Sequence, residues 1–146
     1  MEKVLCKNSK ARHNYFLEDF FETGIVLIGG EVKSLRNGKG NLSDSYVSVK
    51  EGEVFILNFH ISPYLFATEE KQDPLRRRKL LLHKSEIKKL IGKMTREGYT
   101  IIPTKVYLKD GKIKVEIALA KGKKLYDKRE AIKKKDMERE TARGGK

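Results

Sequence analysis

The chain has 146 residues, of which 33 are Lys or Arg and 20 are Asp or Glu, for a formal net charge of +13. That length suits one domain whose core needs neither disulfide nor metal support, and the single Cys6 cannot form an internal disulfide. No apolar run approaches the roughly 20 residues that cross a bilayer, the polar start does not read as a signal peptide, and Cys/His zinc spacing is missing, which sets aside membrane, secreted and zinc-module classes for a cytoplasmic protein.

The cation excess points first to nucleic acid, because each neutralised phosphate releases counterions; a merely solvated basic surface is the bland alternative. The charge is also unevenly placed. From Lys121 to Lys146 eleven basic residues stand among five acids, so this stretch is several times as basic per residue as the rest. A body and a tail follow, divided as 1–124 and 125–146.

Residues 1–12 read as a short arm or an edge strand. Next, Asn14 can cap a short helix in YFLEDFF, with Phe16 and Phe20 four apart facing a core and Gly24 beyond the end. The run IVLIGGEVKSL then reads as a long strand bent at Gly29 and Gly30, a device of small closed barrels. On that strand Glu31 and Lys33 share the face turned away from the core, and NGKGN (Asn37 to Asn41) is a flexible loop without a phosphate-cradle pattern.

Two hairpins follow. SDSYVSV and EVFILNF are joined by Glu51 and Gly52, while TKVYLK and KIKVEIALAK are joined by Asp110 and Gly111. In the second, Ile113, Val115, Ile117 and Leu119 point to the core and Lys112, Lys114 and Glu116 point away. Between the hairpins, Pro63 and Pro74 make 60–75 mostly loop. A helix beginning near Ser85 then carries Ile87, Leu90, Ile91 and Met94 on one face and stops at Gly98.

Five or six strands with short turns and two or three accessory helices predict a mainly β, OB-like antiparallel barrel, with an open α+β sandwich as the rival. The tail, DKREAIKKKDMERETARGGK, has too few apolar residues to dock on a core. It is expected to be disordered when free and helical on a partner.

Nothing in the spacing supports catalysis: no nucleophile with its base, no tuned carboxylate pair and no metal set is visible. Basic clusters at Lys33/Arg36/Lys39, at Arg76 to Lys79 and at Lys121/Lys123/Lys124 instead favour RNA, with Tyr46, Tyr64 and Tyr126 available to stack on bases. Glu31 is the misfit. A carboxylate repels phosphate, so it accepts from base amino groups, positions a neighbouring Lys or Arg, or is simply a charge partner for Lys33. A nucleic-acid-processing enzyme and a generic single-strand binder remain open alternatives on these residues alone.

Three co-linear segments, GGEVKSLRNGKGNLSDSYV, DPLRRRKLLLHKSEI and AKGKKLYDKR, resemble the small protein B family, the SsrA-binding proteins that bind transfer-messenger RNA in bacterial trans-translation. The likeness runs from about Lys7 to about Lys135. It implies an OB-like barrel that binds the tRNA-like domain of transfer-messenger RNA and a tail that enters the empty message channel at the decoding centre of a stalled ribosome. It implies a monomer with no cofactor, no metal and no enzymatic activity, which meets elongation factor Tu only through the charged RNA.

By the same resemblance, Glu31, Leu81 and His83 are leading RNA contacts, with Lys33, Arg36, Asn41, Arg78, Lys79, Lys121, Lys123, Lys124 and Tyr126 around them. His13 and the Asp127, Lys128, Arg129 run fall where the family faces the ribosome. His83 stands where some relatives have asparagine, and Tyr126 where some have histidine.

Overall fold

In the computed structural model, residues 2–64 and 73–123 are described. In chain order they form β1 (Glu2–Lys7), α1 (Ala11–Asn14), β2 (Tyr15–Ile25), α2 (Gly29–Arg36), β3 (Gly40–Asn41), β4 (Tyr46–Lys50), β5 (Glu53–Leu57), β6 (His60–Ile61), β7 (Arg78–Leu81), α3 (Lys84–Glu97), β8 (Thr100–Lys109) and β9 (Lys112–Gly122). Seven strands pair antiparallel in the order β1-β8-β9-β2-β7-β5-β4, and β3 pairs with β6 apart from them. The large sheet curls until β4 packs back on β8, giving the OB-like barrel expected. No helix among the described residues is long and apolar enough to cross a membrane.

Both hairpins form where the turn residues place them. Val47 pairs with Ile56 across the first, and Lys109 with Lys112 across the second. Glu51 and Gly52, like Asp110 and Gly111, adopt positive φ, the tight primed turn that matches strand twist. Helix α3 ends at Gly98 in the left-handed conformation, with its amide donating to the Lys93 carbonyl. Leu90 is its fully buried residue, while Ile91 lies at the margin.

The core fills the barrel with Leu35, Leu42, Val54, Ile56, Phe59, Leu80, Leu90, Val106, Val115, Ile117 and Leu119. A second, smaller cluster lies on the outer face, where Ala11 of α1 covers Ile102 and Ala120. Small residues at Ala118 and Ala120 let that helix approach closely, so the end of β9 is buried on both faces.

Two expectations are corrected. YFLEDFF is the first half of β2, paired with β9 from Tyr15↔Gly122 to Gly24↔Lys114. Phe16 and Phe20 are exposed rather than core residues, and they lie on opposite faces of the strand, since Phe16 pairs with Lys121 and Phe20 with Ala118 across a bulge that breaks the alternation. Asp19 is the extra residue of a bulge, at φ 47.

GGEVKSLR, in turn, is helix α2 rather than a bent strand. Its buried residues are Gly30, Glu31, Ser34 and Leu35, a helical stripe that places Leu35 in the core. The loop that follows is also tighter than expected. Gly40 lies so close to Leu35, Phe59 and Cys6 that an added Cβ would stand 2.6 Å from Leu35 Cδ2. The tail and its boundary at 124–125 lie outside the described residues.

Candidate nucleic-acid interface

Helix α2 starts where the extended Ile28 meets an acid three residues on. The Ile28 amide donates to Glu31 Oε1 at 3.0 Å, which satisfies one of the donors a helix start leaves open. The same carboxylate takes two arginines from the other side of the sequence. Arg76 donates through Nη2 to Oε1 at 2.7 Å, and Arg78 through Nε to Oε2 at 2.5 Å.

Glu31 is only 4% exposed and Arg78 is fully buried, so this is an interior ion pair and not a surface one. Arg78 is also satisfied by the carbonyls of Phe59 at 2.6 Å and Pro74 at 3.2 Å. Burial pushes the Glu31 pKa up, but the hydrogen bonds from Arg76 and the Ile28 amide and the charge of Arg78 outweigh it and hold it below 4.5. Arg78 stays charged, since a guanidinium does not lose its proton in a protein.

Glu31 therefore does not stand on an outward strand face, and its partners are Arg76 and Arg78 rather than Lys33. Its carboxylate is committed within the fold. What it does is pin α2 to β7, helped by Val26, whose amide donates to the Lys79 carbonyl at 2.9 Å and whose carbonyl accepts from Arg76.

That pinning positions the exposed residues around it. Leu81, at the end of β7, is 52% exposed and stands between two depressions. One, of about 600 Å³, is bounded by His83, Glu22, Glu86 and the tip of the β8–β9 hairpin. The other, of about 430 Å³, is bounded by Val32 and Arg36 of α2 and by the same hairpin tip. Val32 and Arg36 are four apart and so share one side of the helix. Arg36, Leu81 and His83 are thus brought together at one end of β2.

The remaining expected contacts are spread out. Lys33 lies 5.4 Å from the Tyr64 ring, Asn41 folds its side chain onto Ser43, and Lys79 pairs with Glu53 at 3.2 Å. Lys121 and Lys123 occupy the opposite end of β2, roughly 30 Å away by strand rise. There Lys121 lies over the Tyr99 ring at 4.5 Å, Lys123 over Phe16 at 5.3 Å, and Arg12 over Phe20 at 5.6 Å. Lys123 also donates to the Arg12 carbonyl at 2.8 Å, next to the exposed His13. Lys124, Tyr126, Asp127, Lys128 and Arg129 lie outside the described residues.

The family model described as SmpB protein matches residues 5–146. This chain belongs to the SmpB protein family. The match continues past Lys135, where the recognisable motifs end, to the last residue. An SsrA-binding protein of Geotalea uraniireducens is 60% identical over 97% of this chain and 93% of its own length. One of Clostridium botulinum is 58% identical over 96% and 90%. A chain from a solved structure described as "tmRNA-SmpB: a journey to the center of the bacterial ribosome" is 43% identical and superposes with a TM-score of 0.67, covering 81% of this chain and 83% of that one.

Sequence reasoning placed Arg76 in a basic cluster but missed its pairing with Glu31. The signal present was local: an acid three residues after the end of an apolar run, which is where a capping acid sits at a helix start. The ion pair itself joins residues 45 and 47 apart in sequence, and no spacing rule reaches that far.

Proposed function

We propose that this chain is a non-catalytic RNA-binding protein that binds the tRNA-like domain of transfer-messenger RNA and brings it to stalled ribosomes for trans-translation. The observation that carries this reading is the near full-length identity to SsrA-binding proteins, 60% over 141 residues in the Geotalea relative. The +13 charge and the clustering of Arg36, Leu81 and His83 at one end of the barrel support it. Two separated basic ends suit a protein that holds RNA on one side and faces the ribosome with His13 and the tail root on the other. It acts in the cytoplasm as a monomer, and elongation factor Tu meets it only through the charged RNA.

A binding role also fits the chemistry of Glu31. Glu31 is held ionised at neutral pH by two guanidiniums, so it has no proton to give and no free lone pair aimed outward.

The test is a gel shift of the full chain with the isolated tRNA-like RNA against a single-stranded competitor. Preference for the folded RNA is expected; displacement by any oligonucleotide would make the chain a generic single-strand binder. Deleting 127–146 should leave RNA affinity within about twofold and abolish tagging on stalled ribosomes. A large loss of RNA affinity in the deleted chain would put the RNA site in the tail.

A further inference from the structure

The two depressions beside Leu81 differ in charge, and the difference says which one takes phosphate. The larger one contains three acids, Glu22, Glu86 and Asp110, beside Lys109 and the Lys112 and Lys114 that it shares with the smaller one. Two of these acids have partners there: Glu22 bonds Lys109 at 3.3 Å, and Glu86 accepts from the His83 amide at 3.0 Å. The smaller one has three cations on its walls, Arg36, Lys112 and Lys114, and no acid. Among the described residues none of these three cations is within salt-bridge distance of an acid, although the charge of Lys114 helps hold the Glu22 carboxyl below its ordinary value, so each keeps donors for an outside anion.

Sequence dictates this arrangement through strand parity. Lys112 and Lys114 are two apart on β9, so they share the face opposite to Ile113 and Val115. Lys114 pairs with Gly24 of β2, and Gly24 pairs with Leu81 of β7. Leu81 and Lys114 are therefore two strand spacings apart, roughly 10 Å, with a bare glycine between them. A Cβ on Gly24 would lie 3.3 Å from Leu81 Cβ, so it would raise the floor and Leu81 would have to give by a few tenths of an ångström.

We propose that Lys112 and Lys114 of the β8–β9 hairpin, with Arg36 of α2 facing them, form a phosphate-binding cleft for the backbone of the folded RNA, and that Gly24 is its floor. The inference rests on the RNA-binding reading above and adds residues to it. The cleft holds backbone rather than bases, since its polar groups are three cationic donors without an acceptor. Leu81 on its rim supplies apolar contact to the adjoining sugar or base.

The test uses the full chain with Lys112→Gln and Lys114→Gln combined, titrated against the tRNA-like RNA at several salt concentrations. Loss of two phosphate contacts should lower affinity about 10- to 100-fold and reduce the slope of log affinity against log salt by about 2. A charge-matched control, Lys3→Gln with Lys50→Gln, removes two exposed lysines elsewhere and should change affinity by less than about threefold. Gly24→Ala should weaken binding in the same assay without changing that slope.

Equal losses in the test and control variants would make the effect one of net charge and overturn the cleft. An unchanged slope in the double lysine variant would do the same while leaving the RNA-binding reading intact. Failure of the unmodified chain to bind the RNA at all would instead remove the reading on which the cleft depends.

Discussion

The two ends of β2 are built from the same residue types and use them differently. At the Gly24 end, the cations of the smaller depression form no salt bridge among the described residues, on walls held in place from beneath by the buried Glu31, Arg76 and Arg78 network. At the Tyr15 end, Arg12, Lys121 and Lys123 are each laid on an aromatic ring, and Lys123 is tied to the backbone of α1. Cations parked on rings gain about 0.5–1 kcal/mol apiece at exposed sites and serve to fasten elements together. Cations left unpaired in a rigid cleft are ready for a ligand. Basic composition alone does not distinguish these roles; the partner of each charge does.

The strongest way to break this comparison is Glu31→Ala. It leaves the buried Arg78 without its counter-ion and should cost about 3–5 kcal/mol of stability, read from urea or thermal unfolding. RNA affinity should fall with it, because α2 is released from β7. Unchanged stability with lost affinity would show that the carboxylate touches RNA directly and that the pinning role is wrong.

Leu81→Ala comes next. Its side chain is half exposed, so stability should move by less than about 0.5 kcal/mol. Affinity for the tRNA-like RNA should fall by about tenfold, the loss of an apolar contact of 1–2 kcal/mol. If stability falls instead, Leu81 is a packing residue and the rim of the cleft is misassigned.

Phe16→Ala combined with Lys123→Gln should barely affect that RNA affinity, within about threefold, since both changes lie at the far end of the strand. Association of the RNA–protein complex with ribosomes should weaken. The reverse pattern would merge the two ends into one RNA surface.

The smallest effect is set by pH. Against the upward push of burial, Arg76, the Ile28 amide and Arg78 hold the Glu31 carboxyl below its ordinary, unfolded value, so between the two values the unfolded state binds more protons and stability rises with pH. The contribution is fully present above the ordinary range of an unfolded glutamate carboxyl and fades as pH falls through the lower, folded value. Glu31→Gln should remove this component of acid unfolding; an identical acid transition in the variant would show that other carboxylates control it.

Local chemistry alone determined a good deal of this molecule. The Glu51–Gly52 and Asp110–Gly111 turns, the amphipathic α3 with its terminal glycine, and the core face of β9 all follow from preferences that act within a few residues. The family motifs were legible too, because they are contiguous.

Tertiary structure decided the rest. YFLEDFF became a strand because its backbone is paired with β9 from Tyr15↔Gly122 to Phe21↔Ile117, and that ladder outweighs a helical spacing of two phenylalanines. GGEVKSLR became a helix because Leu35 reaches the core and Glu31 finds two arginines from β7 and the turn before it. Whether Glu31 faced solvent or the interior depended on those distant partners. A buried charge is tolerated only where its counter-ions arrive, and chain folding, not local sequence, brings them there.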